Sequence, residues 1–442
     1  MVDTRDFVLK QIEERNIHFI RLWFSDVLGN LKSFAVTPSE MENAFEGGMG
    51  FDGSSVAGFA HVQDPDLLVI PDASTFQVLP WRPKDNGVAR MFCDVRRPNG
   101  EACDADSRHI LMNAMRRAAD CGYSATVAAD LEYFYFRDSS SPDPIDRGGY
   151  FDLTPLDNAS DLRRDTVLTL EQVGVPVAYS HHEAAPSQHG IDLRAADPLS
   201  AADSVMTARL VVREVATAQG VHASFMPKPL EAENGSGMHI QLSLFDADGD
   251  NVFAGESSDG PGLSNEAEGF IAGILRYAPE FMLVTNQYVN SYKRLVPGRA
   301  VPLSASWGNS SRSTLVRVPP HAPASPQSAC VELRSADSAA NPYLAIALML
   351  SAGVRGIEEG LALCAPAPAE LAVLPCARRD ADAPVLPLTL GQAIDAFEQS
   401  SFAAEVLGEH VRDYLLCEKR REWEAYRSHV STWELERYLP VL

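Results

Sequence analysis

Ala125 to Phe136 reads A-T-V-A-A-D-L-E-Y-F-Y-F, a small, β-branched and aromatic run that predicts a strand. Residues two apart on a strand share a face. Asp130 and Glu132 therefore lie together, and Leu131, Tyr133 and Tyr135 take the opposite face. Two further segments divide the same way. In M-H-I-Q-L-S-L-F, His239, Gln241 and Ser243 oppose Met238, Ile240, Leu242 and Leu244. In V-E-L-R, Glu332 and Arg334 oppose Val331 and Leu333. A sheet with one wet face explains any one of these strands. All three together gather carboxylates and a histidine, a donor set that suits Mg2+ or Mn2+, ions that neutralise nucleotide phosphates. H-H-E (His181 to Glu183) offers a further ligand.

Around these strands lie segments that suit anions. N-G-S-G (Asn234 to Gly237) precedes His239 and is either a tight turn or a close backbone approach to a ligand. Lys293 and Arg294 precede a Pro-Gly turn, and Arg312 and Arg317 follow. Guanidinium forks match carboxylate and phosphate.

The pattern predicts a helix over Asp3 to Arg15 and a strand over His18 to Phe24. The polar stretch Arg96 to Asp106 marks a boundary between a small domain, 1–103, and a larger one, 104–442. Helices are expected over Ser107 to Ala119 and Ala201 to Gln219. Asn341-Pro342 starts a third, apolar nearly all round and so buried. Residues 364–388 read as irregular, and Phe402, Val406, Val411 and Leu415 suit one terminal amphipathic helix. Strand and helix runs do not alternate regularly, which favours α+β over a Rossmann-like sheet.

The chain has 442 residues, with 37 Lys+Arg against 60 Asp+Glu, a formal charge of -23. That balance disfavours nucleic acid and anionic membranes as partners. The longest apolar stretch, Tyr343 to Leu350, is too short to span a bilayer. The N-terminus lacks a signal-peptide core. Seven scattered cysteines without a C-x-x-C pair indicate neither a zinc ribbon nor a disulfide framework. A cytoplasmic location is expected.

D-G-S-S (Asp52 to Ser55), G-Y-F (Gly149 to Phe151), H-H-E-A-A-P-S-Q, F-M-P-K-P, N-G-S-G-M-H, N-S-Y-K-R-L-V-P-G and N-P-Y-L occur in this order. With them the chain resembles bacterial type I glutamine synthetase from near residue 15 to its end. The resemblance implies an α+β fold: a small β-grasp-like N-terminal domain and a larger catalytic domain with a curved antiparallel sheet flanked by helices. It implies a homododecamer of two hexameric rings with active sites between neighbouring subunits. It also implies two-step chemistry: ATP phosphorylates the γ-carboxylate of glutamate, and an amine displaces the phosphate. By motif, Glu132 and Glu183 resemble ligands of a first Mg2+ or Mn2+, and Asp130, His239 and Glu332 those of a second. Asn234, Gly235, Arg294 and Arg334 would hold the amino acid. Arg312 and Arg317 would face the transferring phosphate, and Gln241 and Ser243 the nucleotide. Tyr150 would stand at the amine entrance, and Asp52, from a neighbouring subunit, beside the amine.

The sequence also departs from the family pattern. Asp130 stands where Glu is usual, Gln241 replaces a His and Cys330 an Arg. Gly190 occupies the place of a Glu that binds the first cation, which weakens that site; His189 or Gln188 are candidate substitutes. The flap reads P-G-R-A-V-P, so Arg299 and Ala300 stand where the family carries an acid that helps deprotonate ammonium. No Tyr for adenylylation occurs in 364–388. The expected activity is thus an ATP-dependent ligation of glutamate to an organic amine, with Arg299 favouring an anionic amine. A non-catalytic homologue and a glutamine synthetase using ammonium are the alternatives.

Overall fold

The computed structural model describes residues 4–59, 65–83, 85–257, 260–309, 311–320, 325–367 and 384–442. Six strands build the N-terminal sheet: Ile17–Ser25 (β1), Leu31–Val36 (β2), Met49–Asp52 (β3), Asp66–Pro71 (β4), Gln77–Val78 (β5) and Gly87–Arg96 (β6). Their order is β2-β1-β6-β4-β3, with β5 beside β6. β1 and β6 run parallel and the other pairs antiparallel. Helices Thr4–Glu14 (α1) and Met41–Gly47 (α2) complete a β-grasp unit. Trp23 is its buried centre, edge-on to Phe92 at 5.5 Å.

The larger sheet comprises Ser124–Phe136 (β7), Val177–His182 (β8), Gln188–Leu193 (β9), His222–Ser224 (β10), Met238–Phe245 (β11), Trp307–Gly308, Val316–Arg317 and Val331–Leu333. The last three, with the short hairpin Ala254–Ser257 (β12) and Gly260–Leu263 (β13) intervening, are β14, β15 and β16. The order is β14-β15-β16-β11-β7-β9-β8, with β10 also on β7. It is antiparallel except for β14 and β15. The apolar sets expected of β7, β11 and β16 are buried: Leu131, Tyr133, Ile240, Leu242, Val331 and Leu333 are all at most 1% exposed.

Helices Ser107–Asp120 (α3), Ser160–Gln172 (α4), Pro198–Ala218 (α5), Asn265–Thr285 (α6), Val289–Arg294 (α7) and Pro342–Glu358 (α8) pack around this sheet. At α8 the Asn341 side chain accepts from the Tyr343 and Leu344 amides, and nearly the whole helix is buried, as its sequence predicts. The expected single helix from Phe402 is two, Ser401–Leu407 and Glu409–Arg427; with Leu390–Glu398 as α9 these are α10 and α11. Gly408, at φ +81°, separates them, because a left-handed residue ends a helix. Thr432–Tyr438 (α12) follows. Part of the irregular stretch expected over 364–388 lies outside the described residues. Among the described residues no helix is long and apolar enough to cross a membrane.

Arg108 fastens the two sheets' layers. It is 2% exposed and donates to Asp72 (3.1 Å) and Asp94 (2.5 Å) of the N-terminal unit and to both oxygens of Asp203 on α5.

Candidate active site

The register of the large sheet assembles the site. His239 lies opposite Asp130, and Gln241 opposite Glu332. On the other side of β7, Asp130 faces Asp192 and Glu132 faces Gly190; His181 faces Gly190 from β8. Five side chains expected at the site, with Asp192 and His181, thus stand on one face of five adjacent strands.

At one end is Glu332, 2% exposed. Arg317 donates to its Oε2 at 2.9 Å, and Arg334 pairs with Oε1. Burial opposes ionisation of Glu332, but the Arg334 and Arg317 guanidiniums prevail and hold its carboxyl below the usual range. Asp130 accepts from Gln241 Nε2 at 3.1 Å. Burial, with Asp192 and Glu332 close by, pushes the Asp130 carboxyl well above the usual range. Burial likewise keeps the His239 imidazole neutral, aided by Arg334, and its Nδ1 has no partner.

Glu132 forms the other end. Its Oε2 accepts from the Gly237 amide (2.7 Å) and Gln188 Nε2 (3.3 Å), and its Oε1 lies 3.3 Å from His239 Nε2. Burial is again opposed, chiefly by His239 and Arg294, and Glu132 stays ionised. Glu183 Oε1 lies 2.6 Å from His181 Nε2. Burial pushes Asp192 up to about 6, with Glu183 and Glu132 nearby. Buried carboxylates that crowd one another, beside a neutral imidazole with a bare nitrogen, are a donor set that divalent cations fit.

Of the two candidate substitutes for the missing carboxylate, His189 is excluded. It points to the opposite face, between Tyr133 and Tyr135, and its Nδ1 contacts Arg163 at 2.9 Å. Asp146, His182 and His189 are close enough to share a cation. Arg163, however, must donate to His189 Nδ1, which leaves the ring proton on Nε2 and no lone pair for a metal. The group instead braces the site: His182 Nδ1 donates to the Glu183 carbonyl at 2.7 Å, and His182 Nε2 meets Asp146 at 3.1 Å. Gln188 does face the site, donating to the Gly235 carbonyl at 3.1 Å besides Glu132.

The anion-binding segments close over this row. Gly235 is required where it stands: a Cβ there would lie 2.2 Å from the Pro227 carbonyl oxygen. Asn234 Oδ1 accepts from Arg299 at 3.4 Å, and Arg299 also donates to the Ala232 carbonyl. Two Arg299 donors are therefore engaged by neutral oxygens of this turn. Arg294 is buried and donates to the Ser335 carbonyl at 2.9 Å. Arg334 Nε donates to the Arg312 carbonyl at 2.9 Å, which seats exposed Arg312 beside it. Ser243 Oγ is bonded to the Ala329 carbonyl. Tyr150 stacks on Phe151 (4.0 Å) and stands edge-on to His181 (5.7 Å), both rings half exposed. Asp52 is set apart: its carboxylate accepts from Ser54 and Ser55, which lower its pKa. Its loop rests on α11 through His410 and Gly58 (2.8 Å).

Asp192, and His181 as a member of the row, were not anticipated. Asp192 follows once Q-H-G-I-D-L is recognised as a strand, since Gln188, Gly190 and Asp192 then share a face; His181 needs the register of β8 on β9. The Gly at its centre hides that signal.

Comparison with known proteins bears on the family and the fold. Residues 104–438 match the glutamine synthetase catalytic domain and residues 16–98 the glutamine synthetase beta-Grasp domain. The chain is 51% identical over 445 residues to a glutamine synthetase of Mycolicibacterium smegmatis and 50% identical to that of Mycobacterium tuberculosis, with 99% of each chain covered. A glutamine synthetase of Methanosarcina mazei is 44% identical, over 99% of this chain and 98% of the relative. Among solved structures, a GmaS complex with ADP superimposes with a TM-score of 0.88 at 30% identity over 100% of both chains.

Proposed function

The chain belongs to the glutamine synthetase family, a family of ATP-dependent ligases, and we propose that it joins the γ-carboxylate of glutamate to an organic amine through a γ-glutamyl phosphate. Residues 1–103 form the β-grasp unit and 104–442 the catalytic unit. Glu132 and Glu183 hold one Mg2+ or Mn2+, and Asp130, His239 and Glu332 a second. Cations held there would neutralise the phosphates of ATP. Asn234, Gly235, Arg294 and Arg334 orient glutamate, and Gln241 and Ser243 border the nucleotide. Arg312 and Arg317 balance charge on the γ-phosphoryl group as it moves to the glutamate oxygen. The amine lone pair then attacks the acyl phosphate carbon, and phosphate leaves. Asp52 comes from a neighbouring chain of a dodecamer in two hexameric rings, and the enzyme works in the cytoplasm.

One observation carries the choice of amine. The rings of Tyr150, Phe151 and His181 stand together at the entrance, and the sequence carries Ala300 and Gly190 where the family pattern has acids. Such an entrance gives little help in taking a proton from ammonium and offers apolar surface to a substituent. An amine of low basicity, such as hydroxylamine, a hydrazine or an aniline, arrives already neutral. The identity of about half to mycobacterial glutamine synthetases favours the second reading, ammonium.

The test is phosphate release from ATP with glutamate and Mg2+ or Mn2+, across ammonium, hydroxylamine, ethanolamine, polyamines, anilines and amino acids. Turnover with an organic amine and little with ammonium supports the proposal. Preference for ammonium establishes glutamine synthesis.

A further inference from the structure

The missing carboxylate at position 190 leaves a space that is not empty. His181 and Gly190 are paired across β8 and β9. A Cβ at 190 would lie 2.7 Å from His181 Cε1, 3.1 Å from its Nε2 and 3.0 Å from Glu183 Oε1. Real Cβ atoms do not approach ring atoms so closely. The imidazole therefore lies over the glycine, in the direction from which a side chain at 190 would emerge. A glutamate at 190 and this placement of His181 exclude each other.

The ring is also prepared as a ligand. His181 is largely buried, with 12% of its side chain exposed. Its Nε2 is 2.6 Å from Glu183 Oε1, and its Nδ1 is buried without a partner. At that separation Nε2 and Glu183 Oε1 can take one cation together, the proton between them leaving and the ring proton resting on Nδ1. Two further buried polar atoms of the same row have no partner within the protein. Gln188 is 1% exposed, with its amide nitrogen on Glu132 and its Oε1 unpaired. His239 is 8% exposed, with Nδ1 unpaired.

Asp192 is the other acid near Gly190, but it is placed for a different task. It lies two residues along β9, about 7 Å by strand rise, and faces Asp130 rather than Glu132.

We propose that His181 replaces the carboxylate absent at 190, so that the first cation is held by Glu132, Glu183 and the His181 imidazole. This rests on the assignment of Glu132 and Glu183 to that cation. The exchange has a chemical consequence. Two carboxylates and an imidazole carry one negative charge fewer than three carboxylates and are softer. Mg2+ should lose affinity relative to Mn2+, Co2+ or Zn2+, which accept nitrogen ligands readily.

The test is Mn2+ binding to the full-length protein without nucleotide, followed by electron paramagnetic resonance of free Mn2+. His181→Ala should weaken one class of site at least about tenfold and leave the other unchanged. Gly190→Glu added to His181→Ala should restore that class and improve Mg2+ competition against Mn2+, because the space is then open. A purely structural His181 would not be rescued in this way. Glu132→Ala separates the two layers of the inference. Loss of a site in Glu132→Ala but not in His181→Ala overturns the histidine proposal alone. No loss in Glu132→Ala overturns the assignment beneath it. Should His181→Ala fail to fold, electron spin-echo modulation of Mn2+ bound to His239→Ala decides: a remaining nitrogen coupling supports His181, and its absence overturns the proposal.

Discussion

Arg317 donates to the Glu332 carboxylate at 2.9 Å, and Arg334 occupies the other oxygen of the same group. The arginines proposed to face phosphate and glutamate are thus tied to a carboxylate proposed to bind a cation. A cation that takes Glu332 competes with both guanidiniums and makes them available to the substrates. Cation and anionic substrates should therefore bind with positive linkage.

Glutamate and ADP affinities, measured by calorimetry, should rise at least about tenfold on adding Mn2+. In Glu332→Ala that dependence should largely vanish, since both arginines are already released. Equal dependence in the wild type and the variant would contradict the tie.

Ala300→Glu places a carboxylate at the amine entrance. If its absence limits proton removal, the variant should use ammonium at least about tenfold better in kcat/KM. The readout is phosphate release at varied ammonium. An unchanged value would assign the ammonium preference, whatever it is, to another feature.

Arg108 satisfies three aspartates across the two units while nearly fully buried. Arg108→Met removes the cation and strands those charges, which should cost about 3–5 kcal/mol. Urea unfolding of the variant measures this. The loss should appear as weaker joining of the N-terminal unit, seen as earlier proteolysis near residues 96–106.

Asp106 caps α3, accepting from the Arg108 and Val95 amides. Complete burial, with Asp94 nearby, pushes its carboxyl up to about 7. Its folded value exceeds its unfolded one, so its favourable contribution is full below about pH 4 and is lost as pH rises through 7. Asp106→Asn removes that dependence. The stability of the variant relative to the wild type should increase between pH 5 and pH 8, by about 2–4 kcal/mol, in denaturant titrations at the two values.

Asp52 has its polar partners in its own loop, which leans on α11. If it serves a neighbouring chain, Asp52→Ala and Arg312→Ala proteins should be separately inactive yet recover activity when dissociated and reassembled together. Random assembly gives intact sites in about a quarter of positions. No recovery would place Asp52 outside the site.

Much of this was legible in sequence, for identifiable reasons. Alternation in β7, β11 and β16 is a local property, so the shared face of Asp130, Glu132, His239, Gln241 and Glu332 could be read without the fold. The Asn341-Pro342 start of α8 was equally local. What escaped depends on neighbours distant in sequence. The capture of Glu332 by two arginines and the seating of His181 over Gly190 need cross-strand register, which single-chain patterning does not give. The break at Gly408 was masked because apolar spacing continues on both sides of it.

Strand β7 has a consequence for how such a protein can change. Its odd and even positions are committed to different materials, the packed interior on one side and reactive groups on the other, and it is paired along both edges. Inserting or deleting one residue would exchange the two sides at a stroke, burying acids and exposing aromatics. Novelty is thereby confined to exchange of one side chain for another in place. Asp130, Gly190 and Gln241, the sequence's departures from the family pattern within strands, each occupy one place on the site face.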